Sequence, residues 1–283
     1  MMMNRFKIQG ARYKAKGPRF SQRGFTLVEM IMVIVITGII GGMVAVFLKA
    51  PIQQYMDVSR RADMTDIADT ALRRIGRDVR LALPNSVQVH TSGSGTSTVY
   101  YLDFLETTGG GRYRRDVGGS NDILDFTKPD SSFEVLGAMP AFSAGDQVVV
   151  YNLGISGADA YAGDNRSSWV STAAPIVNIA PFQFPFDSPS ARFQIVHEQV
   201  RYICNPVAHT LTRYSLGTAI VAPSATVPGV VGSLLANNVS SCRFAYDAFV
   251  VAQRAGLVTM NLGITESGET VTLYSADHVS NVP

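Results

Sequence analysis

The most apolar part of the chain is a single block near its beginning. Residues 30–48 form 19 consecutive positions without a charge, and eleven of them are Ile, Val, Leu or Phe. As a helix, this run is long enough to cross the ~30 Å hydrocarbon core of a bilayer. No later segment matches it, so the sequence predicts one transmembrane helix over residues 25–48.

The pattern becomes one-sided after this block. Between residues 49 and 83, apolar residues recur at spacings of three and four: Met64, Ile67, Ala71, Ile75, Val79 and Ala82. This spacing predicts an amphipathic continuation of the same helix over residues 49–83, ended by Pro84 and Asn85. Arg and Asp fill the positions between, and we interpret them as a solvated face, with a binding surface as the alternative.

Residues 84–283 contain short β-branched and aromatic runs separated by Gly, Ser, Asn and Pro, a pattern typical of antiparallel strands. The predicted strands are residues 86–90, 98–105, 122–126, 146–153, 192–197, 199–204, 210–215, 242–246, 256–265 and 269–275. Residues 109–121 and 154–190 are predicted loops, and we expect Trp169 and the aromatic residues at 182–186 to pack onto the sheet. The fold class is therefore α+β, a long N-terminal helix packed on a large antiparallel β-rich head.

Charge is distributed unevenly along the chain. Seven of the 24 Lys and Arg residues lie in residues 1–24, which contain no acid, and the remaining 17 face 22 Asp and Glu. The bulk of the chain is mildly acidic, which argues against nucleic acid as a partner. Cations before the apolar block predict a cytoplasmic N-terminus and a head that is exported across the membrane.

Glu29 lies inside the apolar block, where an ionised carboxylate costs a few kcal/mol unless it stays at the interface or meets a cation. A carboxylate merely solvated at headgroup level is one interpretation. The surrounding residues 23–29, RGFTLVE, favour another. This segment resembles the processing and methylation motif of type IV prepilins and type II secretion pseudopilins, in which a basic leader ends in Gly and is followed by Phe and, at the fifth position, Glu.

That resemblance implies a role for each residue of the motif. A prepilin peptidase that is also an N-methyltransferase would cut after Gly24, remove residues 1–24 as a basic cytoplasmic leader, and methylate the new amine of Phe25. The apolar block would be kept. Glu29 would act in assembly, because its carboxylate can pair with the N-terminal amine of a neighbouring subunit, which shares one burial cost between two opposite charges.

The later part of the chain carries weaker signals: RYIC at 201–204, LLANNV at 234–239 followed by CRF at 242–244, and GETVTLY at 268–274 followed by His278 and Val279. In these segments the chain is similar to J-type minor pseudopilins and, more narrowly, to the MshO family of mannose-sensitive haemagglutinin (MSHA) pilus biogenesis. The resemblance implies a minor pilin or pseudopilin that initiates assembly of a pilus or pseudopilus. Its partners would be an inner-membrane assembly platform, the major pilin and other minor pilins.

Cys204 and Cys242 are the only cysteines, and both lie in the part expected to be exported. An even number in that compartment favours a disulfide, with two buried free thiols as the alternative. Closing a loop of this length would stabilise the fold by about 3 to 4 kcal/mol in the chain-entropy model.

Catalytic chemistry has little support in the sequence. The four His residues are scattered, and no nucleophile elbow, zinc-protease or phosphate-binding motif is present. We expect no enzyme activity, no cofactor and no metal. Asp159, Asp164 and Asn165 could offer oxygen ligands to calcium, but acidic residues beside glycine more often form turns. The alternative function is a membrane-anchored periplasmic binding protein or enzyme that does not polymerise.

Overall fold

The computed structural model describes residues 24–117, 122–250 and 255–283. The chain divides into two compact units, Met1–Met56 and Asp57–Pro283. One helix, α1, runs from Leu27 to Val79 and includes Pro51. Strand bounds are Gln88–Ser92 (β1), Val99–Tyr113 (β2), Asp130–Leu136 (β3), Gln147–Val150 (β4), Arg166–Ala173 (β5), Ile176–Phe182 (β6), Arg192–Asn205 (β7), Thr210–Ser215 (β8), Ser233–Asn237 (β9), Val239–Val250 (β10), Ala255–Glu266 (β11) and Glu269–Ser280 (β12).

The first unit is described from residue 24 onward, and its large apolar side chains are exposed on every side of α1. The helix is long and apolar enough to span a membrane, and no residue of its most hydropathic window is buried. Exposure all round the helix is what a hydrocarbon environment or a bundle of similar helices accommodates. The predicted apolar N-terminal helix is confirmed.

In the second unit, one face of α1 enters a hydrophobic core. Met64, Ala68, Ala71, Ile75 and Val79 are fully buried there, at the predicted spacings of three and four. They pack with alternate residues of β11, namely Val258, Met260, Leu262 and Ile264. The apolar face predicted from the sequence is therefore the face of α1 that packs against a sheet. The α+β fold class is confirmed.

The helix ends at Val79, four residues before the predicted end. The backbone that follows bonds to β2 instead: Thr107 N–H donates to Leu81 O at 2.8 Å, and Leu83 N–H donates to Leu105 O at 2.7 Å. Ala82 forms an isolated bridge with Glu106. Because these backbone groups find partners on a strand, nothing requires the last turn to continue to Pro84.

The larger sheet has nine strands in the order β1-β2-β3-β6-β5-β4-β7-β8-β9, with β2 also paired to β7. That additional pairing closes six strands, β2-β3-β6-β5-β4-β7, into a hydrogen-bonded ring. Its interior is a separate core that includes Tyr113, Phe133, Phe184, Phe193 and Ile195. The head thus has a barrel with its own core beside the helix-covered part of the sheet.

The second sheet contains β10, β11 and β12 in antiparallel order. The expected disulfide is present and joins Cys204 on β7 to Cys242 on β10, with the two Cα atoms 6.4 Å apart. Because β7 belongs to the larger sheet, the disulfide links the two sheets covalently. Both cysteines belong to or pack against the core that α1 enters.

Several loop and strand assignments were wrong. Residues 154–190, predicted as loop, contain β5 and β6, and residues 109–113 belong to β2. Residues 122–126 form no strand, and the predicted strands 192–197 and 199–204 are one strand, β7. β3 and β9 were missed.

The polar sequence of β5, SSWVSTA within Arg166–Ala173, resembles a loop because most of its side chains are exposed on the outside of the barrel. The aromatic residues do pack, as expected. Trp169 stacks on Phe142 with ring centroids 5.5 Å apart, and Phe182 lies edge-on to Phe184 at 5.0 Å.

Candidate processing and assembly site

The predicted cleavage point lies just before α1 begins. Gly24, Phe25 and Thr26 are non-helical, and Leu27 is the first helical residue. The Phe25 side chain is 80% exposed, and a Cβ added at Gly24 would meet nothing within 4 Å. The peptide bond between Gly24 and Phe25 is therefore open to an enzyme. The fold of this chain does not itself require glycine at position 24, so any such requirement would come from the enzyme.

Thr26 caps the helix. Its Oγ1 accepts a hydrogen bond from Glu29 N–H at 3.2 Å, and its carbonyl accepts one from Met30 N–H at 3.1 Å. Thr at the N-cap with Glu three residues later is the capping-box pattern. The sequence interpretation missed Thr26, although the T-x-x-E spacing before an apolar run is a local signal that could have identified it.

The Glu29 carboxylate has no hydrogen-bond or ion-pair partner among the residues that the structure describes. Glu29 is exposed, and its backbone N–H bond to Thr26 is the interaction that positions it in the first turn. A negative charge there interacts favourably with the helix dipole, by about 0.3–1 kcal/mol. This is small beside the cost of a charge placed in hydrocarbon, so an ionised Glu29 inside a bilayer or a helix bundle would need a cation.

The site therefore has three parts within six residues: an exposed peptide bond, an N-cap and an unpaired carboxylate. Cutting after Gly24 would leave the cap intact, because Thr26 remains with the mature chain. The new amine would be carried by Phe25, four residues before Glu29. Chemically, the helix start can present one cation and one anion to neighbours.

The charged groups of the head are used differently, in pairs with one another. Arg213 on β8 contacts Asp78 of α1 at 2.8 Å, Glu106 of β2 at 3.0 Å and Glu198 of β7 at 2.9 Å. Tyr202 O–H donates to Asp78 at 2.6 Å. This cluster attaches the end of α1 to three strands.

The pKa values in this cluster reflect burial and pairing. Burial raises the pKa of Glu106. For Glu198, burial acts in the same direction, but hydrogen bonds from Ser215 and Arg213 prevail and lower its pKa. Burial works against the positive charge of Arg213, yet hydrogen bonds to Glu198 and Asp78 leave its pKa raised. We interpret the cluster as structural because Arg213 pairs with all three carboxylates.

The acidic residues considered as calcium ligands are occupied in turns. Asp159 Oδ1 accepts from Tyr161 N–H at 2.9 Å, and Asp164 Oδ2 accepts from Gly157 N–H at 2.9 Å. Asn165 donates to Asn152 Oδ1 at 3.2 Å. Within the described ranges, no group of three or more His, Cys, Asp or Glu is placed to hold a metal ion.

Comparison with known proteins adds one finding. A family model described as the prokaryotic N-terminal methylation motif matches residues 19–45. No curated protein and no solved structure matches the chain significantly. The matched residues include Gly24, Phe25, Thr26 and Glu29, and the motif implies processing by a prepilin peptidase and pilus assembly in general. The match supports a type IV pilin-like or pseudopilin-like protein with a membrane-anchoring helix.

Proposed function

We propose that this protein is a minor pilin or pseudopilin subunit that initiates assembly of a type IV pilus of the MSHA kind or of a type II secretion pseudopilus. The observation that carries the proposal is the unpaired Glu29 carboxylate on an exposed apolar helix, four residues after the exposed Gly24–Phe25 bond. A plain membrane anchor needs neither feature, whereas a subunit that polymerises through its helix uses both.

The mechanism begins in the inner membrane, with the N-terminus in the cytoplasm and the head in the periplasm. A prepilin peptidase cuts after Gly24 and methylates the Phe25 amine, which stays cationic. On extraction into a fibre, the apolar part of α1 packs against other helices, and van der Waals contacts between these side chains replace those with lipid. The Glu29 carboxylate then meets a neighbour's amine. Pairing in low dielectric depends steeply on distance, so a neighbour displaced by much more than one helical turn leaves both charges unpaired.

The size of the head favours a minor subunit over the shaft subunit. Removing residues 1–24 from the 283-residue chain leaves 259 residues, and the unit Asp57–Pro283 accounts for most of them. A shaft subunit is compact, whereas a bulky head fits a fibre end. We propose that Glu29 engages a subunit above it in the fibre, and therefore that this chain lies just beneath the tip. We favour the MSHA system because residues 201–204, 234–244 and 268–279 resemble the MshO family.

We also propose that the head is not catalytic. Arg213 is paired with three carboxylates of the head, and the acidic loop residues accept backbone N–H groups. These side chains are committed to holding the fold. Activity of the purified protein on a periplasmic substrate would overturn this part of the proposal.

The decisive measurement is mass spectrometry of the N-terminal peptide of the protein recovered from cells. The proposal expects a first residue of N-methylated Phe25. Protein that retains residues 1–24, or that is trimmed beyond residue 50, would contradict it and favour a non-polymerising anchored protein.

A second experiment tests Glu29 directly. E29Q should insert into the membrane normally but be depleted from fibres that are sheared and purified with the other pilins. E266Q is the matched control, because Glu266 is an exposed carboxylate on β11 in the head. Equal recovery of E29Q and wild type in fibres would refute the pairing mechanism.

A further inference from the structure

Two arginines lie directly opposite each other on the outside of the barrel. Arg112 on β2 is the cross-strand partner of Arg192 on β7, and both are exposed. The next residue, Tyr113, donates its N–H to Ala191 O at 2.8 Å. Because backbone groups alternate in direction along a strand, Arg112 and Arg192 form a non-hydrogen-bonded pair, the kind in which opposed side chains lie closest.

Neither guanidinium of this pair contacts a carboxylate among the described residues. Arg112 Nε donates to the Ser190 carbonyl at 3.2 Å, and the side chain of Arg192 forms no hydrogen bond or ion pair with any residue in the described ranges. The next two arginines along the chain are paired with acids. Arg114 forms two hydrogen bonds to Glu134, at 2.7 and 3.1 Å, and Arg115 forms an ion pair with Asp187. Like charges directly opposite on paired strands destabilise a sheet. The uncompensated positive charge is therefore concentrated on one pair.

The segment of β2 just before Arg112 is three consecutive glycines, residues 109–111. Gly110 precedes Arg112 by two residues and shares its face, and its cross-strand partner is Gln194. A Cβ at Gly110 would come within 2.5 Å of the Phe193 carbonyl oxygen, and one at Gly111 within 2.9 Å of the Phe193 ring. The glycines thus permit the close approach of β2 to β7. They leave a recess of about 340 Å³ bounded by residues 109–112 and 192–194.

We propose that this recess binds an oxyanion group, a carboxylate, sulfate or phosphate, either free or carried on one sugar-sized unit. Planar guanidinium groups bind such anions through paired N–H donors, and two arginines at directly opposed strand positions supply two positive charges beside the recess. The three glycines leave room for the ligand above the backbone of β2. Gln194 lines the same recess. A volume near 340 Å³ is at the lower end of the range for small-molecule sites, so a larger ligand would not fit entirely inside the recess. The proposal does not depend on the proposed function.

The test is calorimetric titration of the full chain in a non-ionic detergent. The probes are sodium sulfate and sodium glucuronate, with sodium chloride and glucose at matched ionic strength as references. We expect one site per chain, with at least tenfold weaker binding in R112A and in R192A. Binding of sulfate and glucuronate together identifies the oxyanion as the recognised group, and binding of glucuronate alone identifies an acidic sugar; either supports the proposal.

R243A is the matched control, since Arg243 is also an exposed strand arginine, on β10, and has no ion pair within the part of the chain that the structure describes. Its affinity should equal that of wild type. R192K keeps the positive charge but lacks the planar guanidinium that can donate two parallel hydrogen bonds. It should bind more weakly than wild type and more tightly than R192A. R192K replaces R192A in the test if R192A does not fold. Failure of both anions to bind, or an equal loss in R243A, would overturn the proposal.

Discussion

Gly76 of α1 lies directly against Asp277 of β12: a Cβ built on Gly76 would be 2.5 Å from Asp277 Oδ2. The Asp277 side chain is only 8% exposed, and it accepts hydrogen bonds from Arg80 at 2.8 Å and from Ser275 at 3.1 Å. Glycine inside a helix costs about 1 kcal/mol relative to alanine. Here that cost is offset because the small residue lets a buried carboxylate approach the helix.

Gly76→Ala should therefore destabilise the head despite its better helix propensity. Displacing Asp277 costs about 1–3 kcal/mol as overpacking, which leaves a net loss of about 1 kcal/mol. Urea unfolding of the full chain in detergent measures it. Gly229→Ala is the control, because a Cβ there meets nothing within 4 Å and should change little. A G76A protein as stable as wild type would show that Asp277 moves freely.

The disulfide between Cys204 and Cys242 should contribute about 3 to 4 kcal/mol to the stability of the head, because it closes a loop of 38 residues and links two sheets. Urea unfolding with and without a reductant checks this value. In the variant with both cysteines changed to alanine, the reductant should have no further effect. An unchanged midpoint for the reduced wild type would contradict the prediction.

The Arg114–Glu134 pair should make stability depend on pH in the acidic range. Two hydrogen bonds from Arg114 lower the pKa of Glu134 from its ordinary value of 4.5. A carboxylate with a lowered folded-state pKa stabilises the fold above its unfolded pKa, and the contribution is lost as pH falls through the folded value. Wild type should therefore be more stable than E134Q above about pH 4.5. The difference should shrink at lower pH, and a constant difference in melting temperature would count against this.

Thr26→Ala should loosen the start of α1 without affecting the head. Loss of an N-cap costs about 0.5–2 kcal/mol, which corresponds to roughly 2- to 30-fold faster hydrogen exchange at the Glu29 amide. Thr26→Ser keeps the hydroxyl oxygen and should exchange like wild type. Exchange measured by mass spectrometry in detergent distinguishes the two variants, and identical rates would mean that the bond from Glu29 N–H to Thr26 contributes nothing.

The local features of this chain were readable from sequence, and the non-local ones were not. The helix core residues Met64, Ala71, Ile75 and Val79 followed from spacing. β8 was predicted at its observed bounds, Thr210–Ser215, because it is a short run with β-branched and aromatic residues between turn residues. The closure of the barrel was not predicted, because it depends on β2 pairing with β7, whose residues are some 80 or more positions away. The end of α1 was misplaced for the same reason, since its competitor is a distant strand.

The candidate sites divide in the same way. Gly24, Phe25 and Glu29 were found because their motif occupies consecutive positions, and Thr26 was missed although its signal is equally local. The Arg112–Arg192 pair has no sequence signature. Each arginine alone resembles an ordinary surface residue, and only the register of two strands brings them together.

Thr26 is the only residue between Phe25 and the first helical residue, Leu27. After a cut following Gly24, two non-helical residues, Phe25 and Thr26, would connect the terminal amine to the helix, and two extended residues span at most about 7 Å. One turn of helix advances about 5.4 Å. The amine can therefore still reach a neighbour's Glu29 after an axial displacement of little more than one helical turn. A larger displacement between adjacent helices would separate the two charges.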